Sequence, residues 1–161
     1  NLTDGLDALA GGSSAAYFFS FGVLIALQNA ATGKAGTENS LALICFVLAA
    51  SLCGFLLFNV FPASVFMGDT GSLALGGFAA CVAVFSGNAF YAPVIGIMFV
   101  FSVITVVAQV IYYKATKGKR IFLMAPVHHH FQKKGYSECK ISFAYAVITA
   151  AAGLLSILFA L

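Results

Sequence analysis

Charge is scarce in this sequence, and that scarcity argues against an ordinary water-soluble domain. Only 8% of the 161 residues are charged, 61% are apolar, and the mean hydropathy is +1.02. A soluble domain of this size is roughly half apolar and about a quarter charged. Tryptophan is also absent, so the six tyrosines and 17 phenylalanines are the aromatic residues left to mark a membrane–water interface. The composition therefore predicts an integral membrane protein.

Acidic and basic residues are missing from the interior of five long apolar segments. A membrane-spanning helix needs roughly 20 residues to cross a hydrocarbon core of about 30 Å. We therefore predict an all-α, polytopic membrane protein forming a single membrane domain over residues 1–161. Its predicted spans are 13–32, 40–58, 72–90, 92–113 and 142–161. Because the sequence starts without methionine inside a polar motif, we interpret the chain as a piece of a longer protein.

The basic residues are unevenly distributed, and their distribution predicts an orientation. Seven of the eight lysine and arginine residues lie between the fourth and fifth spans, and only Lys34 lies elsewhere. Loops rich in lysine and arginine stay in the cytoplasm. We therefore place 114–140 there, and counting back through alternate spans places 59–71 and 1–12 on the same side. This topology gathers three aspartates and three histidines on one membrane face.

The first of these loops begins with the string NLTDGLD. Asp4 and Asp7 are three residues apart, so both carboxylates can face the same way around a helix start. One could act as a base or metal ligand while the other accepts hydrogen bonds from a ligand. Asp-Gly is also an ordinary turn and helix-cap pattern. Both interpretations stay open at this point.

The second loop contains the string FMGDTGS, residues 66–72. Its two glycines permit close backbone approach or a positive φ beside Asp69. Thr70 or Ser72 can cap the following helix, whose N-terminal amides favour an anion. A carboxylate in this setting suits a Mg²⁺–diphosphate complex, because Mg²⁺ takes one or two carboxylates together with phosphate oxygens. The alternative is that Asp69 serves only as the helix N-cap.

The third loop contains the string APVHHHF, residues 125–131. Consecutive side chains diverge on a helix or strand, so three adjacent histidines poorly satisfy one zinc ion. Contacts with phosphate or sugar fit better, assisted by Lys133 and Lys134. Gln109 lies near the predicted cytoplasmic end of the fourth span. It is placed either to contact a ligand or to hydrogen-bond a neighbouring helix.

Three strings taken in order, NLTDGLDALA, NVFPASVFMGDTGSLALGG and APVHHHFQKKGYSE, are similar to motifs of one enzyme family. The chain resembles the C-terminal half of the phospho-N-acetylmuramoyl-pentapeptide transferases (MraY), a branch of the polyprenyl-phosphate N-acetylhexosamine 1-phosphate transferases. The resemblance covers essentially the whole chain. It implies the last five helices of a ten-helix, multi-pass enzyme of the bacterial inner (cytoplasmic) membrane, with its active site on the cytoplasmic face.

The resemblance also implies a reaction of peptidoglycan synthesis. Phospho-MurNAc-pentapeptide would pass from UDP-MurNAc-pentapeptide to undecaprenyl phosphate, forming lipid I and UMP, with Mg²⁺ as the cofactor. The expected partners are these two substrates, the lipid bilayer and a second copy in a homodimer, and no nucleic acid. The fragment alone is expected to be inactive, because the family's paired aspartates and a lysine near the nucleotide belong to the other half.

By resemblance, the metal and nucleotide contacts fall in the first two loops. Asp69 resembles the family's magnesium-binding aspartate, placed to help neutralise the diphosphate. Phe66 and Gly68 resemble nucleotide contacts, with the Phe66 ring stacked on uracil. The first loop resembles the rest of the nucleotide site, with the ribose–diphosphate region lined by Asn1 and Asp4 and the uracil recognised by Gly5, Leu6 and Asp7.

The third loop resembles the part of the site near the phosphates and the sugar-peptide. His129 lies there, flanked by His128 and His130, and Gln109 resembles a contact to the peptide. The implied catalytic residues are Asp4, Asp69 and His129. The chain departs from the family pattern at Ala8, where glycine is usual, and at Val60-Phe61, where Ala-His is common.

Three other interpretations remain open. The first is a sibling transferase that uses another UDP-N-acetylhexosamine. The second is a non-catalytic transporter or channel half, and the third is a purely structural subunit. Ion pathways usually need ionisable residues inside the membrane, so the uncharged spans argue against the second.

Overall fold

The structure, a computed structural model, describes residues 1–33 and 37–160. Within these ranges the chain is helical, without strands. The helices in order are α1 (Leu9–Thr32), α2 (Thr37–Asn59), α3 (Gly68–Phe85), α4 (Tyr91–Ile95), α5 (Ile97–Ala115), α6 (Val127–Lys133) and α7 (Glu138–Ala160). All except the short α4 and α6 are long and apolar enough to cross a membrane. The all-α, polytopic architecture is confirmed, while Lys34 and Leu161 lie outside the described residues.

Helix α1 lies at the centre of the bundle and packs mainly against α2 and α7. Its side chains Phe18, Phe21 and Leu24 are almost completely buried. Glycine permits the close approach of α2, because a Cβ at Gly22 would lie only 3.0 Å from the Cβ of Cys45. The central helix therefore carries the core and fixes where the loop that precedes it is placed.

The other long helices expose large apolar side chains, as expected for a protein surrounded by lipid. Leu57 of α2 and Phe159 of α7 are 81% and 85% exposed. Such faces would be unfavourable in water, where burial of apolar surface is worth about 25 cal/mol per Å². In a bilayer the same faces contact hydrocarbon. The five apolar helices thus describe a multi-pass membrane protein.

The membrane helices have other boundaries than the sequence predicts. Helices α1 and α7 begin at Leu9 and Glu138, each four residues before its predicted span. Helix α3 begins at Gly68 and ends at Phe85, earlier at both ends than the predicted span 72–90. The turn after it is held by Asn88, whose Nδ2 donates to Oε1 of Gln28 in α1 at 2.8 Å. The predicted span 92–113 is not continuous, because Gly96 (φ −81°, ψ 27°) separates α4 from α5. The polar residues Ser86, Gly87 and Asn88 mark the end of α3 in the sequence, whereas apolar residues flank Gly96 on both sides, so hydropathy does not reveal the second boundary.

Candidate active site

Residues 1–8 form an irregular loop before α1, and the start of this loop contacts the second loop. Nδ2 of Asn1 donates to Oδ1 of Asp69 at 2.7 Å and to Oγ of Ser72 at 3.2 Å. Asp69 lies in the first turn of α3 and is exposed. The Asn1 amide therefore orients a carboxylate that a ligand can still reach.

Asp4 lies close enough to Asp69 for their charges to interact. Burial is the main cause that raises the pKa of Asp4, and the charge of Asp69 raises this pKa as well. A nearby cation would stabilise the ionised form of such a carboxyl. Two neighbouring carboxylates form a donor set that suits Mg²⁺. No group of three or more His, Cys, Asp or Glu residues with metal-binding geometry occurs among the described residues, so Mg²⁺ would need further ligands such as phosphate oxygens.

The start of α3 differs from the sequence prediction. Gly68 has φ 65° and is the first helical residue, and Met67 at the N-cap makes no side-chain capping bond. Thr70 and Ser72 therefore lie inside the helix, so the prediction that either caps it is wrong. The alternative that Asp69 is the N-cap is wrong for the same reason. The positive φ of Gly68 is a conformation that favours glycine at the turn into α3.

An apolar cavity opens beside the same residues. It has a volume of about 420 Å³ and lies between α1, α3 and α5. Asn1 and Ser72 line its polar end, and Phe18, Phe99 and Val103 line its apolar part. A molecule with a polar head and a hydrocarbon chain would match this arrangement.

The middle of the first loop lies against the histidines of α6. A Cβ at Gly5 would lie 2.6 Å from Nε2 of His128 and 2.9 Å from Nε2 of His129. His128 is completely buried, and within the described part of the chain neither of its ring nitrogens has a hydrogen-bond partner. Burial, and then the charge of His129, lowers the pKa of His128 to about 4. His128 is therefore neutral at neutral pH.

His129 and His130 have different hydrogen-bond partners. Nδ1 of His129 lies 3.1 Å from Oε1 of Gln132, and Nε2 of Gln132 donates to Oε1 of Glu138 at 2.9 Å. Nδ1 of His130 instead accepts the backbone N–H of Leu123 at 3.1 Å. The structure thus places His128 and His129 beside the first loop, while His130 stabilises the segment before α6.

The end of the first loop is bonded to its surroundings through Asp7. Its Oδ2 accepts the N–H of Ala63 at 2.9 Å, its N–H donates to Oε2 of Glu138 at 3.3 Å, and its carbonyl accepts from Ser142 at 2.7 Å. Leu6 is nearly buried in an apolar cluster. Both residues support the loop in this structure, and their contacts with uracil stay predictions.

Gln109 and Phe66 are two further predicted contacts with the substrate, and the structure places them in different surroundings. Oε1 of Gln109 accepts the N–H groups of Ile121 and Phe122 at 3.1 and 2.9 Å, and its Nε2 donates to the Phe122 carbonyl at 3.2 Å. Gln109 thereby stabilises the segment after α5, and its contact with the peptide stays a prediction. Phe66 is 73% exposed, so its ring is accessible to a base.

Sequence reasoning assigned no role to several residues that hold the site together. Gln132 follows His129 by three residues on one helix, a spacing at which side chains meet, so this pair was visible in the sequence. The role of Asn59 was not visible in the sequence, because its Oδ1 accepts the N–H of Ala8 at 3.0 Å across 51 positions. The link from Glu138 to Asp7 of the first loop is more distant still, across 131 positions. Only the folded chain brings these partners together.

Comparisons with known proteins find relatives that are similar to this chain along most of its length. The chain is 46% identical to the phospho-N-acetylmuramoyl-pentapeptide-transferase of Listeria welshimeri serovar 6b over 145 residues, which are 90% of this chain and 42% of the relative. It is 43% identical over 157 residues to the protein of that name from Listeria monocytogenes serovar 1/2a, with 98% and 46% covered. The Desulfotalea psychrophila protein is 44% identical over 165 residues, with 98% and 46% covered.

The chain spans less than half the length of these curated relatives. The resemblance found in the sequence motifs is confirmed by them. The profile of glycosyl transferase family 4 matches residues 1–87, more than half of the chain, and includes the first two loops with Asp4 and Asp69. The chain therefore belongs to glycosyl transferase family 4.

Proposed function

We propose that the whole protein transfers phospho-MurNAc-pentapeptide from UDP-MurNAc-pentapeptide to undecaprenyl phosphate, forming lipid I and UMP. The relatives named above support this reaction, because they carry that transferase name and align with at least 90% of this chain. One structural observation carries it further. Asp7 of the first loop bonds Ala63 of the second, and Glu138 at the start of α7 bonds both Asp7 and Gln132, so the three predicted loops are connected beside membrane helices. A soluble anionic donor and a lipid acceptor can meet only at such a boundary.

The two ends of the site suit the two substrates. Undecaprenyl phosphate needs a place for a hydrocarbon chain with a phosphate at its end, and the cavity between α1, α3 and α5 offers one next to Asn1. The sugar nucleotide would bind on the exposed side, where Phe66 is available to stack on uracil. Asp69 lies in the first turn of α3, three residues after Phe66, and bonds Asn1 at the end of the cavity.

Asp69, with Asp4 beside it, would hold Mg²⁺. When bound, the ion would neutralise the diphosphate and stabilise the charge that develops on departing UMP. Asn1 keeps the Asp69 carboxylate oriented through its 2.7 Å hydrogen bond. The half-buried His129 would contact the phosphates or the sugar-peptide from the opposite side of the first loop.

The reaction is tested by UMP release from the full-length protein in detergent with both substrates and Mg²⁺. Asp69→Asn is the test variant. Glu38→Gln, which removes the acidic residue between the first two predicted spans, is the matched control. We expect lipid-dependent release that is lost in Asp69→Asn and kept in Glu38→Gln.

Each other outcome has a definite meaning. An unchanged Mg²⁺-dependent rate in Asp69→Asn would refute the metal role. Release from UDP-GlcNAc but not from UDP-MurNAc-pentapeptide would assign the protein to a sibling transferase. No release with either donor from a folded protein would overturn the enzymatic proposal.

We further propose that the protein is a homodimer in the bacterial inner membrane with these loops in the cytoplasm, and that this chain is inactive alone. The cluster of basic residues between α5 and α7 supports the orientation. Mass measurement in detergent tests the dimer, and labelling of a cysteine introduced at Lys119 from either side of the membrane tests the orientation. Assay of the isolated chain tests its inactivity.

A further inference from the structure

A line of hydrogen bonds connects α7 to His129. Glu138 lies in the first turn of α7, and Gln132 and His129 lie on α6. Oε1 of Glu138 accepts from Nε2 of Gln132 at 2.9 Å, and Oε1 of Gln132 lies 3.1 Å from Nδ1 of His129. The second carboxylate oxygen of Glu138 accepts the N–H of Asp7 at 3.3 Å. Glu138 therefore joins the first loop to the histidine helix.

The charge of Glu138 decides the orientation of the Gln132 amide and the tautomer of the His129 ring. An ionised carboxylate can only accept hydrogen bonds, so the NH₂ group of Gln132 must face Glu138. The carbonyl oxygen of Gln132 then faces His129 and can only accept as well. Nδ1 of His129 must therefore carry a proton. A flipped Gln132 amide would place two acceptors face to face, which is unfavourable.

We propose that Glu138, acting through Gln132, keeps a proton on Nδ1 of His129, so that Nε2 of the neutral ring is the nitrogen that faces a ligand without a proton. Nε2 is the atom near Gly5, where a Cβ would lie 2.9 Å away. When His129 is neutral, Nε2 is a hydrogen-bond acceptor. It then recognises a hydroxyl or amide N–H of the sugar-peptide rather than a phosphate oxygen, a consequence that rests on the proposed function.

The neighbouring His130 gives an internal comparison. Its Nδ1 accepts the N–H of Leu123 at 3.1 Å, so that nitrogen carries no proton in the neutral ring. The proton of His130 therefore lies on Nε2. Two adjacent histidines of one helix thus carry opposite tautomers. Each is set by the partner of its Nδ1.

The tautomers are measured by NMR on the full-length protein in detergent, with ¹⁵N-labelled histidine and without substrates. The spectrum is recorded at about pH 8, above the ordinary histidine pKa of about 6.5. His129 and His130 are assigned from the signals lost in His129→Gln and His130→Gln. We expect the Nδ1–H pattern for His129 and the Nε2–H pattern for His130.

Gln132→Met keeps the length of the side chain but removes its hydrogen bonds. We expect His129 to shift toward the Nε2–H form, which free histidine favours, while His130 keeps its pattern and so reports that α6 is folded. Lys133→Met is the matched control, because it introduces methionine at the next, exposed position. It should leave both patterns unchanged.

Glu138→Gln is the second, isosteric variant. Its amide can offer Gln132 either a donor or an acceptor, so we expect His129 to show a mixture of tautomers. An Nε2–H pattern for His129 in the unmodified protein would overturn the proposal. So would an unchanged Nδ1–H pattern in Gln132→Met or Glu138→Gln. Because the measurement involves no turnover, it separates failure of this inference from failure of the proposed function.

Discussion

Gly5 is the position where adding one methyl group tests the arrangement of the site most directly. A Cβ there would lie 2.6 Å from Nε2 of His128 and 2.9 Å from Nε2 of His129. Favourable contacts between such atoms are about 3.5–4.0 Å long. The ring of His128 would therefore have to move by roughly 1 Å to restore a favourable contact with the new Cβ. His128 is completely buried, so its ring has little room to do so.

The cost of Gly5→Ala follows from that clash. Inserting a methyl group into a packed site destabilises a protein by about 1–3 kcal/mol. Gly5 is not among the described residues with positive φ, so alanine adds no backbone strain there. His129 is only half buried and can move aside. We therefore expect a loss of stability of about 1–3 kcal/mol through His128, and a loss of UMP release through displacement of His129.

Gly54→Ala is the matched control for this change. Gly54 lies inside α2, and a Cβ added there would have no described atom of another part of the chain within 4 Å. Alanine inside a helix is more stable than glycine by roughly 0.5–1 kcal/mol, so we expect a small gain here. Thermal unfolding in detergent measures both variants. Stability of Gly5→Ala equal to or above that of the unmodified protein would refute the described contact between the first loop and α6.

Three other changes give further checks. The pKa of His128 is 6.5 in the unfolded chain and about 4 in the folded protein. The stability that depends on the neutral ring is therefore complete above pH 6.5, and about 3 kcal/mol of it is lost as the pH falls toward 4. In His128→Leu this loss of stability at low pH should disappear from unfolding curves measured across the same pH range. A pH dependence equal to that of the unmodified protein would contradict the burial of a neutral ring. Ala8 has φ 61°, a conformation that costs about 1–2 kcal/mol for a non-glycine residue. Ala8→Gly removes this strain but adds the backbone entropy of glycine, so we expect the free energy of unfolding to rise by up to about 1 kcal/mol. A decrease in the free energy of unfolding would count against that φ. Phe66→Ala should weaken UDP-sugar binding by about 1–3 kcal/mol with little change in stability, since the ring is 73% exposed, and unaltered affinity in a binding titration would argue against stacking.

Several features of the site were predicted from the sequence because they depend on local composition. Apolar segments long enough to span a bilayer must form helices, since only a helix satisfies its own backbone hydrogen bonds in lipid. The few polar residues are then confined to the loops. Asp69 and the histidines were predicted on this ground to lie on one membrane face, and in the structure the first loop contacts both. The positive φ at Ala8 is a conformation that glycine adopts more readily than alanine.

The sequence alone determined the class of the protein, its membrane helices and the loops that we propose carry its chemistry, because hydropathy and motif spacing are properties of neighbouring residues. Tertiary structure decided which polar groups are bonded to one another. Asn1 and Asp69 are 68 positions apart, and Asp7 and Glu138 are 131 apart. The carboxylate of Asp7 accepts from Ala63, and Gln109 binds the segment after α5. Such pairings depend on how α1, α3 and α7 pack, and no local pattern of residues encodes that packing.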